Sequence, residues 1–227
     1  MKIYAFGDIH GEFLKLKALV DKISPDKDAT LVFLGDYIDR GKYSFEVVEY
    51  LIDLSKKYNC VFLEGNHENM FLDYMSGIHE KIFLYNGGTE TAKSYYKHGY
   101  NINHNTYYLS RKFPKEHVIF FRRLKKYYET EDYIFVHAGV HPNTPLENTP
   151  NEILLWDRSF YKMAHYTGKT VVFGHTASRI VMNKEYRICI DTGACFEHGH
   201  LTCVELPIRK FTQQGDVLEE TNGENDN

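Results

Sequence analysis

Three short stretches of the sequence gather carboxylate, imidazole and amide side chains between glycines: Gly7-Asp8-Ile9-His10-Gly11, Gly35-Asp36-Tyr37-Ile38-Asp39-Arg40-Gly41 and Gly65-Asn66-His67-Glu68. Two more histidines stand beside glycine further along, in Val136-His137-Ala138-Gly139 and Gly174-His175-Thr176. Any one Gly-Asp pair is explained by a turn, and a lone Asn or Asp by a helix cap. Caps need no histidine, however, and three such clusters in succession call for another explanation. Asp8, His10, Asp36, Asn66, His137 and His175 make a donor set with oxygen and imidazole but no thiolate. Such a set suits Mn²⁺, Fe or Zn²⁺ better than soft metals, with Mn²⁺ the expected ion, while Ca²⁺ would want more oxygens. Six donors are too many for one tetrahedral zinc with an open position. They suit two divalent ions about 3.5–4 Å apart that share one carboxylate and activate a water.

The elements that must position these residues alternate along the chain. Lys2–Phe6, Thr30–Leu34 and Cys60–Leu63 are short apolar runs with the texture of buried strands, and each ends at one of the clusters. Helical spacing follows each run, at Phe13, Leu16, Leu19 and Val20, then at Phe45, Val48, Leu51 and Ile52, then over Met70–Met75. A β-α-β-α-β order implies parallel strands with right-handed crossovers, whose carboxyl ends form the crevice where ligands bind. Asp36, at the end of the middle strand, is the natural shared carboxylate. From Gly87 to Tyr128 the chain reads as helical and polar. Beyond it Tyr133–Val136, Val171–Phe173, Tyr186–Ile190 and Leu201–Leu206 read as short strands in a mixed or antiparallel arrangement. The expected fold is α/β, a single domain built as a two-sheet mixed β-sandwich flanked by helices.

The three early motifs resemble the signatures of the calcineurin-like metallophosphoesterases, and more narrowly the phosphoprotein phosphatase branch, whose second motif carries the extra Asp-Arg. The spacing is similar too, with 28 residues from Asp8 to Asp36 and 30 from Asp36 to Asn66. The short length is similar to that of the bacterial and bacteriophage lambda-type enzymes. The resemblance spans Met1 to about Leu206. It implies that Asp8, His10 and Asp36 hold one metal and that Asp36, Asn66, His137 and His175 hold the other. It also pairs His67, as general acid to the leaving group, with Asp39, and makes Arg40 and Arg158 clamps on the substrate phosphate beside Asn66 and His67. The implied activity is phosphomonoester hydrolysis by direct attack of an activated water on phosphorus. A serine/threonine protein phosphatase, with tolerance for phosphotyrosine, is the first reading. A hydrolase of diadenosine tetraphosphate or a related nucleotide is the second, and a scaffold that has lost its chemistry is a third. The last is disfavoured by the presence of His67, Asp39, Arg40 and every ligand.

Composition limits what else the chain could be. Hydrophobic residues make up 43% and charged residues 26%, the balance of a soluble globule with no apolar run of about 20 residues to span a membrane. The four cysteines Cys60, Cys189, Cys195 and Cys203 lack C-x-x-C spacing and read as reduced thiols of a cytoplasmic protein. The net charge of −4 sits in the last 13 residues, which carry −5 and leave +1 on residues 1–214. The expected organisation is a catalytic domain over 1–214 and a disordered acidic tail over 215–227. A monomer without membrane or stable nucleic-acid partner is expected, acting on a phosphorylated protein or a small phosphoester or nucleotide. Trp156 is expected in the core, Gly87-Gly88-Thr89 in a loop that is either plain or cleft-shaping, and His141, His198 and His200 in supporting roles.

Overall fold

A computed structural model describes residues 2–102 and 113–216, so most of the expected acidic tail lies outside the described residues. In chain order the first half contains β1 (Ile3–Phe6), α1 (Phe13–Ile23), β2 (Thr30–Phe33), α2 (Ser44–Ser55), β3 (Asn59–Phe62) and α3 (Asn66–Met75). Then come α4 (Glu80–Phe83), a π-type turn over Leu84–Gly88, α5 (Thr89–Lys97) and α6 (Lys115–Arg122). The second half holds β4 (Tyr127–Glu129), β5 (Tyr133–Val136), α7 (Asn151–Trp156), α8 (Ser159–Lys162), β6 (Thr170–Phe173) and β7 (Met182–Asn183). It closes with β8 (Arg187–Cys189), β9 (Asp191–Thr192), β10 (His200–Leu206) and β11 (Lys210–Gln214).

The strands form two sheets, in the orders β11-β10-β1-β2-β3 and β4-β5-β6-β8-β7, with β9 attached to β10. As expected, β1, β2 and β3 are parallel and in register, from Ile3↔Thr30↔Asn59 to Phe6↔Phe33↔Phe62. Their three carboxyl ends are therefore level, and β2 is the middle one. The later strands are mixed: β5, β6 and β8 are parallel, while β4 and β7 run antiparallel at the edges. β10 crosses back to pair antiparallel with β1.

The side-chain alternation of the strands builds two apolar layers at once. Ile3, Ala5, Val32, Leu34, Val61 and Leu63 pack against Phe135, Val172 and Ile188 of the other sheet. Tyr4, Phe6, Leu31 and Phe33 pack with Leu16, Leu19, Val48 and Leu51 of the helices. A third cluster joins Ile134, Val171 and Phe173 to Leu154, Leu155 and Phe160. With both faces covered, the strands read as continuous apolar runs.

Two expectations need correction. Where it is described, the Gly87–Tyr128 stretch is helical over Thr89–Lys97 and Lys115–Arg122 and enters β4 at Tyr127, and it is not polar on its inner face: Tyr95, Phe113, Phe120 and Phe121 are buried, with Tyr95 stacked on Phe113 at 4.7 Å. Its outward lysines, glutamates and tyrosines outnumber that stripe in the sequence and hide it. The helix expected over Met70–Met75 begins at Asn66, because Glu68 bonds back to the Gly65 N–H and caps the first turn. Among the described residues no helix is long and apolar enough to cross a membrane.

Phe33 is fully buried and stacked between Phe6 at 4.6 Å and Phe62 at 5.3 Å. Phe33→Ala should lower the unfolding free energy by about 3–5 kcal/mol in urea denaturation. A loss below about 1 kcal/mol would contradict the central position given to this ring.

Candidate active site

The turns leaving β1, β2 and β6 are sharp. His10, Asp36, Asp39, Arg40 and His175 adopt left-handed backbone with φ of 49°, 54°, 73°, 66° and 63°. Such conformations cost non-glycine residues about 1–3 kcal/mol each and persist where surrounding contacts over-determine them. Glu68 supplies much of that determination. Its buried carboxylate accepts the N–H groups of Asp36 (2.8 Å), Tyr37 (2.8 Å), Ile38 (3.3 Å) and Gly65 (3.1 Å), fastening the turn after β2 to the turn after β3. Two glycines let the carboxylates in: a Cβ at Gly65 would overlap the Asp36 carboxylate, and one at Gly174 would overlap that of Asp8.

Carbonyl oxygens orient the imidazoles. Since a carbonyl only accepts, His10 Nδ1–H donates to Ile38 O (2.9 Å), His137 Nδ1–H to Leu34 O (2.9 Å) and His175 Nε2–H to Trp156 O (3.2 Å). The remaining nitrogens turn lone pairs inward. His137 Nε2 and His175 Nδ1 lie 2.9 and 3.0 Å from the same Asn66 Oδ1. His10 Nε2 lies 3.4 Å from one Asp36 oxygen, and His137 Nε2 lies 3.4 Å from the other. Burial, the largest cause in each case, lowers the pKa of His10, His137 and His175, the last to about 3, so all three are neutral. Neutral imidazoles, an amide oxygen and a carboxylate thus face one another without protons between them, a donor set that fits cations.

The carboxylates make the same demand. Asp8 accepts the His175 N–H at 3.0 Å, yet burial and then Asp191 and Asp36 push its pKa well up. Burial also raises Asp191, to about 6. Asp36 stands apart from them: its pKa is lowered although burial, the largest influence on it, opposes its charge. Three dry carboxylates this close repel one another unless positive charge lies among them. The geometry groups His10, Asp36 and His67 on one side and Asp36, His137 and His175 on the other, with Asp36 common to both. Arg40 already places a cation on the first group: it donates to His10 Nε2 at 2.8 Å and to His67 Nε2 at 3.0 Å.

His67 is held by Asp39, whose Oδ2 lies 2.6 Å from Nδ1; the other Asp39 oxygen accepts from Thr91 Oγ1–H at 2.6 Å. Burial opposes charge on His67, but Asp36 and Asp39 outweigh it and raise its pKa. Arg158 is exposed at the head of α8, which Asp157 caps through the Ser159 and Phe160 N–H groups (2.8 and 3.0 Å). Its charge contributes to lowering His137 and His175. Gly87 O accepts the Arg40 N–H at 3.2 Å, placing that loop against the site. His141, His198 and His200 lie outside both groups.

Trp156 is not in the core, contrary to expectation: it is 40% exposed, and its ring lies 6.3 Å from that of His175. It ends α7 pointing toward the site, so helical periodicity alone could not place it. Glu68 and Asp191 were not singled out by type and spacing. Glu68 belongs to the third motif and sits three residues after Gly65, the spacing of a capping box. Asp191-Thr192-Gly193 is one more aspartate and glycine at the end of an apolar run.

A family model described as calcineurin-like phosphoesterase matches residues 1–179. Over 83 residues, 35% of this chain and 14% of the relative, the sequence is 40% identical to the serine/threonine-protein phosphatase 2B catalytic subunit A2 of Saccharomyces cerevisiae. The chain thus spans a small part of that longer protein. Among solved structures, a provisionally assigned diadenosine tetraphosphatase superposes with a TM-score of 0.68 at 22% identity, covering 94% of this chain and 93% of that one. The cold-active protein-tyrosine phosphatase of a psychrophilic Shewanella gives 0.67 at 16% identity over 94% and 80%. A protein serine/threonine phosphatase from Saccharomyces cerevisiae gives 0.59 at 17% over 97% and 82%. These likenesses establish the two-sheet fold.

Glu68→Gln would turn an amide nitrogen onto two of the four N–H donors now bonded to the carboxylate. We expect a loss of about 2–6 kcal/mol in urea denaturation and at least a tenfold weaker Mn²⁺ affinity in calorimetric titration. A variant as stable as the parent would remove Glu68 from its place as the fastener of the two turns.

Proposed function

Because the chain belongs to the calcineurin-like phosphoesterase family, a family of phosphoester hydrolases with dinuclear divalent metal centres, we propose that it removes a phosphoryl group from a phosphorylated protein. In this reading Asp8, His10 and Asp36 hold one cation, and Asp36, Asn66, His137 and His175 hold the other. The observation that carries it is the two-sided Asp36 carboxylate, with an imidazole lone pair 3.4 Å from each oxygen. Oxygen and imidazole donors without thiolate suit Mn²⁺, Fe or Zn²⁺ better than soft metals, and Mn²⁺ is the ion taken first in this reading. Bound there, two such ions supply Lewis acidity toward the phosphoryl oxygens and a water acidic enough to ionise near neutral pH.

The remaining work belongs to the protein's own groups. Arg40 leaves the imidazoles and turns its guanidinium onto two phosphate oxygens, a match for its planar fork. Arg158 approaches from α8 as a second clamp, and Asn66 and His67 complete the phosphate contacts. His67 Nε2–H gives its proton to the leaving oxygen while Asp39, 2.6 Å from Nδ1, stabilises the charged ring before transfer. The protein-phosphatase reading is supported by the 83-residue match to a phosphatase catalytic subunit. A second reading, hydrolysis of diadenosine tetraphosphate or a related nucleotide, is supported by the near end-to-end superposition on a chain of similar span. Four free thiols support a cytoplasmic location.

Mn²⁺ should stimulate hydrolysis of p-nitrophenyl phosphate, and a phosphoserine peptide should be turned over with higher kcat/KM than diadenosine tetraphosphate. The reverse order would select the second reading, and no metal-stimulated turnover of any ester would end both. His67→Asn should slow turnover by about 10²–10⁴-fold with its metal content unchanged. Metal loss in that variant would make His67 a ligand. Arg40→Ala should chiefly raise KM, and unchanged kinetics would refute the clamp.

A further inference from the structure

A cavity of about 430 Å³ runs along the outer side of β3 and shares no residue with the candidate active site. β3 is the edge strand of its sheet. Beyond it there is a single parallel bridge: Lys125 N–H donates to Phe62 O (3.0 Å) and Glu64 N–H donates to Lys125 O (2.8 Å). The chain before Lys125 turns away, since Arg123 N–H is spent on the last turn of α6 at Ile119 O and Phe120 O. Leu63 N–H points inward to Phe33 O, so by the alternation of a strand the peptide groups of Phe62 and Cys60 point outward. Among the described residues the Phe62 N–H and both Cys60 backbone groups have no hydrogen-bond partner. The edge is open where the cavity lies.

The cavity's chemistry is two-sided. Its floor is apolar, with Ile52, Phe62 and Ile119, the last 48% exposed. Its rim carries Lys56, Arg123 and Lys125 against Glu116 alone. The segment Arg122-Arg123-Leu124-Lys125-Lys126 holds four cations in five residues. Lys56 and Lys126 are paired with Asp53 and Glu64 at 2.8 Å, while Arg122, Arg123 and Lys125 have no acidic partner among the described residues. A bare polyanion would leave the apolar floor and the backbone edge unused.

We propose that this groove docks an extended acidic segment of a partner protein, which adds to the edge of β3, seats apolar side chains on the floor and sets carboxylates against Arg123 and Lys125. Strand addition supplies affinity through the backbone, and alternate side chains supply selectivity. The last β3 residue that lines the groove is Phe62, four residues before Asn66 on the same stretch of chain, so a docked segment lies on the strand that leads to the site, whichever phosphoester is cleaved there.

The test uses the full chain and a fluorescein-labelled octapeptide of alternating glutamate and valine, read by fluorescence anisotropy. Saturable binding is expected, weakened by 150–500 mM salt and at least tenfold by the double variant R123E/K125E. That variant's turnover of p-nitrophenyl phosphate should equal the parent's, which shows that it is folded. A lysine-valine counterpart should not bind, nor should the glutamate peptide carrying N-methyl groups on alternate amides. Excess inorganic phosphate should not displace the probe. The proposal is overturned if the peptide fails to bind, if charge reversal or N-methylation leaves binding unchanged, or if phosphate displaces it. It is equally overturned if a thymidine dodecamer binds in the same groove and the peptide does not.

Discussion

One buried carboxylate sets the terms for the rest of the molecule. Asp36 faces an imidazole lone pair on each of its oxygens, in a region from which water is excluded. To do so it takes a left-handed backbone, depends on the missing Cβ of Gly65, and leans on Glu68 for the direction of its N–H. The two sheets are held to the same purpose. Leu34 O, at the end of the run through β2, orients His137 from the second sheet, and Asp8 from β1 accepts the amide of His175 beyond β6. The apolar layer of Ile3, Val32 and Val61 against Phe135, Val172 and Ile188 fixes the distance across which these contacts are made. Packing between the sheets is therefore also site geometry.

Much of this was legible in the sequence because parallel strands put chemistry at their carboxyl ends. Three apolar runs each end in a cluster, and the level register of β1, β2 and β3 brings those ends side by side. His137 and His175 were legible for the same reason, at the ends of β5 and β6. What stayed hidden were groups whose work is done through backbone. Glu68 looks like an ordinary third residue of a helix, and its four N–H partners belong to turns that only the fold brings together. The carbonyls that orient the imidazoles leave no mark in residue type. Trp156 and the buried stripe of Tyr95, Phe113, Phe120 and Phe121 were misjudged because periodicity reports a helix face, not what lies opposite it.

Charge is divided unevenly over the molecule. The acidic residues of the terminal segment account for the net negative charge of the whole sequence. One of them, Asp216, pairs at 2.8 Å with the buried Lys15, whose Nζ also donates to Ala194 O at 2.7 Å. The rest of the chain is thus near neutral, the site itself calls for cations, and the outer edge of β3 presents a separate basic strip. An anionic phosphoester and an acidic partner segment would be drawn to different places on one small protein.

In the proposed function Asp36 is shared by two divalent ions. Equilibrium dialysis against Mn²⁺, with metal counted by atomic emission, tests it most directly. The parent should bind two ions per chain, and Asp36→Asn should bind none at concentrations that saturate the parent. A parent that binds one ion, or an Asp36→Asn variant that keeps one of two at full affinity, would contradict it.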